Sequence, residues 1–190
     1  LTGPVNVQLG SPETAVVTAP TTPPPNKSRP RLPTQPTPFI GRETELATLQ
    51  TLFTDGTTRL ITIVGPGGIG KTRLALAFAK QQLISKHFAD GVYYVNLAPL
   101  SEVRQILPTL ANALDYPLQG RSNDKQQILD HLYNKEMLLI FDNFEHLLDG
   151  VDLLPEILQA TVNVQILTTS RERLHLRHEQ LFPIDGLTYP

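Results

Sequence analysis

The segment Gly65-Pro66-Gly67-Gly68-Ile69-Gly70-Lys71-Thr72 meets the spacing G-x4-G-K-T. Glycines let a backbone curl until successive N–H groups face one point, where an anion such as a phosphate fits. A helix opening at the end of such a loop aims its positive end at the same place. Lys71 then adds a mobile cation for the β- and γ-phosphates, and the Thr72 hydroxyl is an oxygen ligand for magnesium. Residues 65–72 therefore read as a phosphate-binding loop, with ATP or ADP and Mg2+ as the expected ligands.

A second group of residues has the complementary chemistry. Leu138-Leu139-Ile140-Phe141-Asp142 is an apolar run ending in a carboxylate, the pattern of a buried strand delivering an acid to the end of a sheet. This strand is expected beside the one that ends at Gly65, with Asp142 holding magnesium. Asn143 follows and cannot take a proton from water. Glu145 is the nearest alternative base. It also reads as a first-turn glutamate favoured by a helix dipole, and in a helix starting at Asn143 it would point away from the ligand. Ile166-Leu167-Thr168-Thr169-Ser170-Arg171 is another apolar run turning polar, which puts Arg171 where a terminal phosphate can be sensed. Lys71, Asp142, Glu145 and Arg171 are the candidate catalytic residues, and Thr72 and Asp142 the candidate metal ligands. His175 and His178 have ligand-like spacing but no cysteine to join them. No Asn/Thr-Lys-x-Asp motif capable of reading guanine is present, since Asn26-Lys27 lies in the Pro-rich stretch and Asn134-Lys135 is followed by Glu136-Met137, so adenine is the expected base.

Elements able to position these groups follow from periodicity. Leu46, Leu49, Leu52 and Phe53 recur at helical spacing after Gly41-Arg42-Glu43. Leu60–Val64, Val92–Val95, Met137–Phe141 and Val164–Leu167 read as strands, with Gln180–Ile184 as a fifth. Thr72–Gln82 is a helix. Ser101 caps a helix holding Val103 and Ile106, in which Pro108 either breaks the helix or opens a second turn near Leu110. Ser122-Asn123 begins another that runs through Ile128 and Leu132. Alternating strands and helices specify an α/β fold in three layers, a parallel sheet with helices on both faces.

Composition sets the limits. Ten of the 17 prolines fall at or before Pro38, and large apolar residues are sparse there. Such a stretch buries too little surface to offset its ordering entropy. Residues 1–36 are therefore expected to be a disordered Pro/Thr-rich linker, and residues 37–190 the domain. The net charge of -2 gives no reason to expect a nucleic-acid surface here. No apolar run reaches the roughly 18 residues of a membrane span, and LTGPVNVQLG has neither the charge nor the apolar core of a secretion signal. With no cysteine, a reducing compartment is compatible, and a cytoplasmic location is expected. The missing initiator Met and the end at Tyr189-Pro190 are expected of a piece of a longer protein.

Three signals stand in order: Phe39-Ile40-Gly41-Arg42-Glu43 before the first strand, GPGGIGKT, and LLIFDNFEHLL followed by ILTTSRERL. Together they resemble the P-loop nucleotide-binding domain of the STAND class of signalling ATPases, close to the NB-ARC proteins and in the branch of LuxR- or SARP-type bacterial transcriptional regulators. The resemblance covers about residues 38–190. It implies a P-loop NTPase fold. It also implies that Ile40 and Arg42 lie against adenine and ribose, and that Gly65, Pro66, Gly67, Gly68, Ile69, Gly70, Lys71, Thr72 and Arg73 surround the phosphates. Asp142 would hold magnesium and Arg171 would sense the γ-phosphate. Neighbouring domains of a full-length regulator would be the partners, with a homo-oligomer in the ATP state. Asn143 stands where many relatives have a second acid, which implies slow hydrolysis. The alternatives are a nucleotide-dependent scaffold without turnover and a P-loop kinase.

Overall fold

In a computed structural model of the protein, the described residues are 3, 32–35, 37–120 and 123–186. Within them ten elements alternate in type, with three short 3-10 turns between them. They are α1 (Glu43–Thr54), β1 (Leu60–Val64), α2 (Lys71–Ser85), β2 (Gly91–Asn96), α3 (Ile106–Ala113), α4 (Asp124–Leu132), β3 (Met137–Asp142), α5 (Leu153–Ala160), β4 (Val164–Ser170) and β5 (Gln180–Pro183). The strands form one sheet in the order β2-β3-β4-β1-β5, and every pairing is parallel. This is the α/β P-loop NTPase fold expected from the sequence.

Side-chain alternation along the strands divides the core in two. Ile61, Ile63, Val92, Leu138, Ile140 and Leu167 pack with Leu49 and Phe53 of α1 and Leu74 and Phe78 of α2. Leu60, Val95, Leu139, Phe141 and Ile166 face the other way, onto Leu110 of α3, Ile128 of α4 and Leu154 of α5. Helices therefore cover both faces, which is why the central strands are apolar at nearly every position.

One expectation about order is overturned. The strand ending in Asp142 is not beside β1: β4 lies between them. Both neighbours of β1, the strands β4 and β5, follow β3 in sequence, so nothing local to β1 or β3 marks the strand that separates them. The consequence is that β4 brings its own polar end, with Thr169, up to Asp142 alongside Thr72 of the phosphate-binding loop.

The helices follow their punctuation in part: Ser101 caps no helix, because Glu102 precedes a separate 3-10 turn, Val103–Gln105, and α3 begins only at Ile106. Pro108 sits in the first turn of α3, where its missing N–H costs no hydrogen bond. Asn123 caps α4 by accepting from the Lys125 N–H at 3.1 Å, while Ser122 lies outside the described residues. α5 had no sequence expectation. Its Leu153-Leu154-Pro155 start reads as a loop until the proline is placed in a first turn.

Most of the Pro-rich stretch lies outside the described residues. Its residues 32–35 run beside α2: Leu32 packs on the core layer, and the Gln35 side chain donates to the Arg73 carbonyl at 3.3 Å. With few large apolar residues to bury, residues 1–31 are expected to be removable with unfolding free energy kept within about 0.5 kcal/mol. Removing 1–36 should cost about 1 kcal/mol more through Leu32 and Gln35. Urea titrations of the two truncated chains test this, and equal stabilities would show that these contacts contribute nothing.

Candidate functional site

The carboxyl ends of β1, β3 and β4 meet in a cleft of about 300 Å³. Gly67, Gly68, Gly70, Lys71, Thr72, Arg73, Asn143, Glu145, Thr169 and Arg171 line it. The two sequence segments that could do chemistry are thus brought together, and the arginine after β4 joins them.

The loop has the curl its glycines permit. Gly68 and Gly70 have φ values of 78° and 102°, in the left-handed region that favours glycine. Gly70 is the N-cap of α2, so the helix opens directly on the cleft. Gly65 is needed for a different reason: a Cβ there would stand 2.9 Å from the Ile184 carbonyl oxygen. Lys71 folds back over the loop and donates to the carbonyls of Gly65 at 2.8 Å and Pro66 at 3.0 Å. Burial pushes its pKa down, against the opposing effects of Glu145 and Asp142.

Asp142 is buried and accepts three hydroxyl protons. Thr72 donates to its Oδ1 at 2.8 Å and Thr169 to the same atom at 2.6 Å. Tyr94 donates to Oδ2 at 2.7 Å. Thr169 in turn accepts the Asn143 backbone N–H at 2.9 Å. Thr72 and Asp142 thus offer hydroxyl and carboxylate oxygens side by side, a donor set that suits a hard cation such as magnesium. Tyr94 and Thr169 were not singled out from sequence. Tyr94 reads as one more apolar strand residue; only its place opposite the β3 terminus makes it an acid's partner. Burial pushes the Tyr94 pKa up, and the bond to Asp142 adds to the rise.

Glu145 lies in the cleft rather than turned away. Asn143 has φ 71°, and only a single 3-10 turn, Phe144–His146, follows. That geometry carries Glu145 back over the loop, where its Oε1 accepts from Arg171 Nε at 3.0 Å. The Glu145 side chain is 12% exposed against 67% for Arg171. Its Oε2 is buried without a hydrogen-bond partner. The Arg171 guanidinium lies over Gly67, 3.7 Å from where a Cβ would stand.

Ile40 and Arg42, the residues expected beside adenine and ribose, stand where the chain enters α1. Ile40 is 79% exposed. Arg42, in a left-handed conformation at φ 66°, is buried and pairs with Glu45 at 3.0 Å. It also donates to the carbonyls of Ile69 at 3.1 Å and Asp185 at 2.7 Å. It clamps the phosphate loop to the segment leaving β5, and neither it nor Ile40 lines the cleft. Arg73 lines one rim and donates to the Pro38 carbonyl at 2.8 Å.

A family model described as an AAA domain matches residues 54–177. The "Putative HTH-type transcriptional regulator Rv0890c" of Mycobacterium tuberculosis is 38% identical over 131 residues, covering 68% of this chain and 14% of that protein. The "Uncharacterized protein Rv0894" of the same organism is 32% identical over 153 residues, 80% of this chain and 38% of that one. The chain therefore spans about one-seventh of the first relative and under half of the second. Among solved structures, the ORC2 protein of Aeropyrum pernix, described as ADPNP-ADP complexes, aligns with a TM-score of 0.56 at 18% identity over 75% of this chain and 48% of that one. CDC6p of Pyrobaculum aerophilum aligns at 0.53 and 16% over 86% and 48%. These likenesses show a shared fold. Among the described residues no helix is long and apolar enough to cross a membrane.

Tyr94→Phe removes one hydroxyl and leaves a buried carboxylate oxygen short of a donor. It is expected to cost about 1–3 kcal/mol of stability, read by urea unfolding. A variant as stable as wild type would mean that the Tyr94–Asp142 bond is not held.

Proposed function

This chain belongs to the AAA domain family, and we propose that it is the adenine-nucleotide-binding switch module of a bacterial transcriptional regulator of the STAND, NB-ARC-like class. The observation that carries the reading is the 2.8 Å hydrogen bond from Thr72, which lines the cleft, to the buried Asp142 behind it, with Lys71 and the opening of α2 at the same place. The loop N–H groups and the helix end attract phosphate oxygens. Lys71, held by its own loop carbonyls, has its charge within reach of the β- and γ-phosphates. Thr72 and Asp142 would hold Mg2+, which when bound neutralises charge on the phosphate oxygens. The regulator setting is supported by the mycobacterial relative whose name includes an HTH-type regulator. A cytoplasmic location, neighbouring regulator domains as partners and a homo-oligomer in the ATP state belong to the same proposal.

The reaction is attack of water on the γ-phosphate, slow enough for the ATP state to be read by adjoining domains. Glu145 is the base: its Oε2 is the buried acceptor without a partner. Arg171 pairs with Glu145 and would exchange that partner for the γ-phosphate. That exchange supplies the differential contact by which ATP and ADP favour different arrangements. Asn143, an amide, offers acceptor and donor atoms but no proton sink.

Lys71→Ala is expected to weaken ATP binding by at least about tenfold, the scale of one lost charge-assisted bond, in calorimetric titrations with Mg2+. Equal affinities would remove the phosphate-loop assignment. Glu145→Gln should lower phosphate release by about a hundredfold, the scale of a general base, while ATP affinity changes little. Unchanged turnover would show that Glu145 serves only to hold Arg171.

A further inference from the structure

We infer that His146 is a positioning residue, which fixes the direction in which the Asn143 amide faces the phosphate cleft. The inference rests on the proposed hydrolysis at this site and concerns a residue outside the cleft lining.

The two ring nitrogens have different surroundings. His146 Nε2 stands 3.1 Å from the Leu97 carbonyl oxygen and 3.0 Å from that of Leu100. Carbonyl oxygens only accept, so Nε2 carries the ring hydrogen and donates. In the neutral ring the other nitrogen, Nδ1, is then the acceptor. It lies 3.2 Å from the Asn143 side-chain nitrogen, and an acceptor there selects the NH2 end of the amide. The amide oxygen is thereby left for the cleft, which Asn143 lines together with Glu145 and Thr169.

The rest of Asn143 is held just as firmly. Its backbone sits at φ 71°, a conformation Asn tolerates better than most residues. Its N–H donates to Thr169 Oγ1 at 2.9 Å. With the backbone pinned on one side and the side-chain NH2 held by His146 on the other, the remaining amide oxygen has one direction to face. An attacking water carries two protons. The Glu145 carboxylate would accept one of them, and the Asn143 oxygen would accept the other, since both residues line the cleft. Two acceptors orient a lone pair toward phosphorus, whereas one leaves the water free to rotate. The identity of residue 146 thus reaches the reaction through Asn143, without touching the nucleotide.

Two substitutions separate this role from simple tethering of the loop. The side-chain amide of Asn at position 146 can place an oxygen acceptor near the former Nδ1, while losing the bonds to Leu97 and Leu100. Gln reaches the former Nε2 and keeps a donor for those carbonyls, while losing the acceptor. In the full 190-residue chain, His146→Gln is expected to lower kcat for phosphate release about tenfold, the effect of one mispositioned hydrogen bond. KM for ATP and ADP affinity should stay within about twofold, since uniform binding is untouched. His146→Asn should retain kcat within about threefold, and His146→Gln should have no further effect in an Asn143→Ala background. The inference is overturned if Gln preserves turnover and Asn loses it, if both fall equally, or if neither falls. Should wild-type protein release no phosphate above the Lys71→Ala background, the hydrolysis reading fails by itself. Long-range nitrogen–proton spectra then still judge the His146 arrangement. A ring hydrogen on Nε2 is expected, and one on Nδ1 overturns it.

Discussion

Asp142 is the point on which the site depends. A carboxylate buried at the end of a parallel sheet must be compensated, because an isolated charge removed from water costs several kcal/mol. Here compensation comes from three hydroxyls on three different elements: Thr72 from α2, Thr169 from β4 and Tyr94 from β2. Each donor satisfies the acid and is in turn fixed by it. The phosphate loop, the strand beside it and the sheet edge beyond are therefore registered against one another by a single group.

The interposed β4 explains why this arrangement is possible. With β4 between β3 and β1, Thr169 joins Thr72 at the acid, accepting from the Asn143 N–H while donating to Asp142. The same hydroxyl thus orders the acid and the loop that carries Asn143, Glu145 and His146. That loop cannot continue as an α-helix from the strand, because Asn143 turns left-handed before the 3-10 turn begins. The turn brings Glu145 over the cleft and His146 back toward Leu97 and Leu100.

How much of this was legible depended on whether the signal was local. The loop 65–72, the acid at 142 and the arginine at 171 carry their chemistry in residue type and spacing, and the fold gathers all of them at one end of the sheet. Strand positions were readable because buried strands in a two-faced sheet are apolar throughout. The order of those strands was not, since it is set by crossovers rather than by composition. Tyr94, Thr169 and His146 were silent for the same reason: a tyrosine, a threonine and a histidine acquire roles only from partners 48, 27 and 49 residues away. Arg42 shows the reverse case. Its motif was legible, yet the guanidinium is taken up by the Ile69 and Asp185 carbonyls, which motif spacing could not reveal.

Arg42 also bears on how occupancy of the cleft could be felt elsewhere. The segment leaving β5 passes over the phosphate loop: the Ile184 N–H donates to the Val64 carbonyl at 2.9 Å, and the Ile184 oxygen fills the space a Cβ would need at Gly65. The Arg42 guanidinium then joins Ile69 of the loop to Asp185 of the departing segment through one nitrogen. A guanidinium carries its donors in a rigid plane, so a shift of the Ile69 carbonyl and a shift of the Asp185 carbonyl are not independent. Packing around Gly65 leaves little slack to absorb such a shift. A displacement of the Ile69 carbonyl would therefore be felt at Asp185 through the Arg42 guanidinium.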